Sequence, residues 1–173
     1  MEQKILTPVI KGVVISLILI VISIIGYFTN IDFEGWFRWT NLGIFCLAII
    51  WSCISFGKQS NDNVTFGSDF VHGFKTSGVV ACIMVLYALL FMFIFPDMKE
   101  RAIDIARKSM EEKQQMTDEQ ISTAIEFTKK TFTLFLVLGS IIGYLFFGVL
   151  ASLLGAAITK KNPQDPFDKS FNQ

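Results

Sequence analysis

The chain is short of the residues that most often carry chemistry. It has one histidine, His72, and three cysteines, Cys46, Cys53 and Cys82. A lone imidazole supplies too few ligands for a zinc site. No CxxC pair or Cys/His cluster accompanies it. All three cysteines lie in apolar segments, where a free thiol packs as a small hydrophobe. No metal or cofactor is therefore expected. Charge is also sparse, at 17% of residues, and it balances to zero. That removes the electrostatic argument for a nucleic-acid partner. There is no phosphate loop, no HExxH and no GxSxG. A serine nucleophile needs a base and a group to orient it. The serines here have none in view, so the chain is not expected to be an enzyme.

What the chain has instead is hydrocarbon. Apolar residues make up 52% of it, with 18 phenylalanines and a mean hydropathy of +0.53. Residues 131–159 run for 29 positions without a charge. At about 1.5 Å of rise per residue, such a helix crosses a hydrocarbon core of roughly 30 Å. Three more apolar runs precede it, and the expected spans are 9–28, 39–56, 76–95 and 131–159. A signal peptide is the competing reading of the first run. Its length and the lack of a small-x-small site after Tyr27 argue for a span. Tyr27, Trp36, Phe37 and Trp39 fit an aromatic belt beside the first connector. Within the runs no Asp, Glu, Lys, Arg or His stands in the interior. Such groups usually mark ion or proton paths, so a proton-coupled carrier is not expected. Asn41, Ser52, Ser55, Tyr87, Ser140, Tyr144 and Ser152 remain for hydrogen bonds between helices.

The fold expected is all-α: four spanning helices in one integral membrane domain over 1–173. An amphipathic helical hairpin outside the bilayer, at 97–130, joins the third and fourth. Met98, Ala102, Ile103, Ala106 and Met110 form an apolar stripe there, continued by Ile121, Ala124 and Ile125. Asp97 with Glu100, and Thr117 with Gln120, have the spacing of capping boxes. Residues 160–173, with Pro163 and Pro166, read as a polar tail.

Two groups of residues stand out as candidate surfaces. The first is Gly139, Gly143, Gly148, Ser152 and Ala156, small side chains at helical spacing in the fourth span. Small residues four apart let a second helix approach closely. The second is Phe66, Phe70, His72, Phe74 and Lys75, read as a short amphipathic piece at the interface. It is an anchor or a surface for a partner or lipid headgroup. His72, a helical turn from Asp69, is taken as an interfacial polar residue, with proton sensing as the alternative. Lys11-Gly12-Val13-Val14 and Lys75 with Gly78-Val79-Val80 make a faint repeat at the starts of the first and third spans.

An even number of spans puts both termini on one side. Lys4, Lys11, Lys58, Lys75, Lys160, Lys161 and Lys169 outnumber the acids there. Most basic residues of the other side fall in the 34-residue connector. The positive-inside rule then places both termini in the cytoplasm.

This pattern resembles the four-span bacterial membrane family of domain of unknown function 4199. The residues that carry the likeness are Phe66-Gly67, Phe70, Gly73-Phe74-Lys75 and Gly78. The connector with Thr117-Asp118-Glu119-Gln120-Ile121 and the close of the last span before Lys160-Lys161 join them. The resemblance implies a bacterial inner-membrane location and brings no catalytic or ligand-binding residue. The function expected is that of a non-enzymatic accessory protein. Its partners would be the lipid bilayer and a second copy or another membrane protein, met through the fourth span and the hairpin. The alternative is a small carrier or channel for a neutral or lipidic solute.

Overall fold

The computed structural model describes residues 6–31, 35–60, 63–112 and 117–160, with the backbone alone at Asp118. The tail expected over 160–173 lies outside these residues, apart from Lys160. Five helices and no strand are found among them: α1 (Pro8–Phe28), α2 (Gly35–Gln59), α3 (Phe66–Ile94), α4 (Asp97–Glu112) and α5 (Asp118–Ile158). By length and hydropathy α1, α2, α3 and α5 can each cross a membrane.

The helix ends follow from local chemistry. Pro8 occupies the first turn of α1, where its missing N–H costs nothing. The Thr7 hydroxyl accepts from the Ile10 amide at 3.4 Å. At the other end Asn30 takes the left-handed conformation, φ 57°. The Ile31 amide then reaches back to the Gly26 carbonyl and the Asn30 amide to that of Tyr27, the Schellman pattern. Thr65 and Ser68 form a reciprocal cap on α3 at 3.1 and 3.2 Å. Thr117 and Gln120 do the same for α5, at 3.0 and 3.4 Å. Pro96 ends α3, since it can neither donate nor leave Phe95 helical.

One of these helices differs from the expected segmentation. The piece at 66–75 is not separate from the third span: α3 runs unbroken from Phe66 to Ile94. No glycine adopts positive φ, so Gly73 and Gly78 sit inside the helix without turning it. α5, as its apolar stripe leading toward Phe132 and Phe135 predicts, continues from the connector through the last span. A charge ends a hydrophobic run, but it leaves the backbone hydrogen bonds of a helix intact.

The chain forms two compact units. The first comprises Met1–Ala81 and Gly143–Gln173, the second Cys82–Ile142. The first unit packs through small residues. A Cβ at Gly12 would lie 2.7 Å from the Cβ of Val79, so the two segments of the faint repeat touch. A Cβ at Gly148 would lie 2.5 Å from that of Ser77. Gly26 takes the ring of Phe37 against its bare backbone. Phe45 meets Tyr144 edge to face at 5.1 Å. In the second unit the stripes of α4 and α5 meet. Ile103, Ile121 and Ile125 are buried together, with Ala106, Met110 and Phe132 against them. The other side of α4 carries Arg101 paired with Asp97 at 3.5 Å.

The surface is unusual in being apolar. Val13, Leu17, Val21 and Ile25 are exposed along α1, and Leu134, Leu138, Ile142, Phe146 and Leu150 along α5. The interior, by contrast, holds Lys11, Ser16, Ser52, Asp69, Thr76, Ser77 and Ser152.

Candidate functional site

The buried polar residues of the first unit gather at one end of it. They come from the first turns of α1 and α3 and the last turns of α2 and α5. Leu6 helps to fix that end by donating its amide to Gln59 Oε1 at 2.9 Å. Lys11 then enters the interior from the first turn of α1 and is 2% exposed. Its Nζ donates to the Ser52 carbonyl at 3.0 Å and stands 6.0 Å from the centroid of the Phe56 ring. The ammonium is thus held by a carbonyl and an aromatic quadrupole. The same ring carries the imidazole of His72, stacked at 4.1 Å with 13° between planes.

Asp69 lies in the first turn of α3 and is fully buried. The N-terminus of a helix favours an anion there. Its charge also acts on Lys11 and on Cys53. Burying either charge alone would cost several kcal/mol, so the two oppose each other's penalty. Hydroxyls continue the network. Ser52 Oγ and Thr76 Oγ1 are 3.3 Å apart, and Thr76 donates to the His72 carbonyl at 2.9 Å. Cys53 Sγ reaches the Asp69 carbonyl at 3.8 Å.

Close approach of the helices makes this possible. A Cβ on Gly73 would stand 2.5 Å from Cys53 Sγ and 2.7 Å from Ser152 Oγ. A Cβ on Gly155 would stand 2.8 Å from the Cβ of Cys53. Two polar atoms in this region are buried without a hydrogen-bond partner, His72 Nε2 and Ser152 Oγ. Among the described residues no group of His, Cys, Asp or Glu is arranged to hold a metal ion.

The residues singled out from the sequence are distributed as follows. Phe66 and Phe74 are exposed and Phe70 is half-buried, while His72 turns inward and Lys75 outward. So they do not form one surface: the phenylalanines and His72 point opposite ways. Gly148, Ser152 and Ala156 are buried in the first unit. Gly139 and Gly143 have nothing within 4 Å of an added Cβ. Of the cysteines only Cys53 is buried; Cys46 is half-buried and Cys82 exposed.

Sequence reasoning overlooked Lys11, Cys53 and Thr76 as members of a site, while Ser52, expected to bond between helices, pairs with Thr76 of α3. Lys11, Asp69 and His72 stand at or beyond the ends of the expected apolar runs, in the first turns of α1 and α3, and are buried there. A signal was present. Asp69, His72, Gly73, Thr76 and Val80 recur at i, i+3, i+4, i+7 and i+11, one helical face. Phe66, Phe70 and Phe74 take the opposite one. The stretch reads as an interfacial piece with His72 as a polar boundary residue, and the structure turns that polar face inward.

No curated protein and no solved structure matches the chain. A family model does match, over residues 11–161, from Lys11 to the last residues beyond α5. The protein belongs to the family described as protein of unknown function DUF4199.

Proposed function

We propose that this is a multi-pass protein of a bacterial inner membrane, with α1, α2, α3 and α5 as spans and both termini in the cytoplasm. Its role is non-enzymatic, and it assembles with a second copy or another membrane protein. The location is supported by the inverted distribution of side chains, with Leu, Ile and Phe outward and Lys, Asp and Ser inward. Exposed hydrocarbon on this scale is costly in water and neutral in lipid. The connector at 97–130 lies outside the bilayer, where its exposed charges meet water.

One observation carries the assembly reading. Gly139 and Gly143 stand one helical turn apart on α5 with nothing against them, although small residues in a span are what allow two helices to approach. Exposed Ile105 and Phe127 add apolar surface on the connector helices. Replacing Gly139 and Gly143 with Leu is expected to shift the population in mild detergent toward the monomer by about tenfold. Light scattering with size-exclusion chromatography reads this directly. An unchanged distribution would mean that lipid alone covers the face.

The buried cluster of Lys11, Asp69 and His72 favours a second reading, a small carrier, since ionisable groups at membrane depth commonly serve transport. Cross-linking and mass spectrometry of material purified from native membranes separates the two. A stoichiometric protein partner supports assembly, and a retained small solute supports the carrier.

A further inference from the structure

We propose that His72 is a proton-binding site, and that binding a proton there loosens the seam between α2 and α3. The inference is independent of the assembly face on α5. It starts from an atom without a partner. His72 Nε2 is buried and makes no hydrogen bond, while the residue as a whole is 5% exposed. A neutral imidazole always has one nitrogen with a free lone pair. A buried polar atom left unmatched costs about 1–3 kcal/mol, and the fold maintains that cost at this position.

The neighbours make the site responsive. Lys11 comes from α1 and Cys53 from α2, and α3 itself adds Asp69 and Lys75. α5 contributes Ser152 and Thr159, neither of which titrates near neutral pH. The imidazole therefore sits in a field set by two lysines, Lys11 buried and Lys75 exposed. A second cation would share the Phe56 ring with Lys11, and in a low dielectric two such charges repel strongly. Moving the imidazole away from Lys11 relieves that repulsion, and it opens the His72–Phe56 stack. That stack is a contact between α2 and α3, next to the Ser52–Thr76 hydroxyl pair. One proton thereby alters the packing of two helices without leaving the first unit.

The chain offers a direct test, since His72 is its one histidine. The full-length protein, purified on a tag without histidine and placed in lipid nanodiscs, is labelled with 15N-imidazole. Its two nitrogen shifts are followed from pH 8 to pH 4. A single reversible titration is expected. Lys11→Met, which removes a neighbouring cation, should raise its proton affinity by about tenfold. Hydrogen exchange at 66–76 should rise at least severalfold across the same transition, and His72→Gln should abolish that rise. Imidazole shifts that stay constant to pH 4 while the protein remains folded would overturn the proposal. So would a titration that leaves exchange at 66–76 unchanged. The wild-type measurement decides the matter even where a variant does not fold.

Discussion

At Gly73 a methyl group has no room. The position faces Cys53 Sγ and Ser152 Oγ at distances shorter than any ordinary carbon contact. Both neighbours are themselves fully buried, so neither can swing into open space. Overpacking a dense interior costs about 1–3 kcal/mol. Gly73→Val is therefore expected to lower the thermal midpoint in detergent by several degrees and to disturb the network around Asp69. Gly139→Ala makes the contrast. An added Cβ meets nothing there, and alanine is the better helix former by about 1 kcal/mol. Its midpoint should not fall. Matched melting curves of the two variants check both statements. The two glycines look alike in the sequence, each between one apolar and one polar residue inside a long helix. Only the identity of what faces them separates a packing position from an open one.

For the helices, the local code was largely legible. The Thr117–Gln120 spacing reads as a capping box, and both of its hydrogen bonds are made. The apolar stripes at 97–130 read as two faces in need of cover, and Ile103 is buried with Ile121 and Ile125. These contacts differ in weight. Losing a cap costs about 0.5–2 kcal/mol, whereas truncating a buried isoleucine costs about 2–5 kcal/mol. Thr117→Ala should accelerate hydrogen exchange over 118–122 and leave α4 protected. Ile121→Ala should release both α4 and the first turns of α5. Mass-spectrometric exchange with peptide resolution distinguishes the two patterns. What the sequence did not yield was the continuity of α3. The charge-free run begins at Thr76, yet the helix begins at Phe66. Hydropathy reports where hydrocarbon is tolerated, while helix length depends on backbone hydrogen bonding. Asp69, His72 and Lys75 interrupt the first property and not the second.

For the molecule as a whole, the proposed topology has one decisive consequence: both termini share a side. A fluorescent protein fused after Gln173 should fluoresce, and alkaline phosphatase fused at the same place should be inactive. Phosphatase inserted in the connector near residue 114 should be active. The opposite pattern would reverse the orientation and would place the Lys11 end of the first unit outside the cell. That end could not be seen in the sequence as a site. Lys11, Ser52 and the Asp69–His72 pair are far apart along the chain, and each taken singly looks like a flanking or packing residue. The sequence by itself determined the helical class, the number of membrane-length helices, their caps and the amphipathic stripes around residue 110. These depend on composition and on neighbours within about a turn. Tertiary structure alone decided which face of each helix turns inward and brought a lysine and a histidine to one phenylalanine ring. The physical reason is the surroundings. In water apolar side chains settle the choice of face by avoiding solvent, but in hydrocarbon they have no preference. The choice then falls to polar groups that need partners and to glycines that let helices come close enough to supply them.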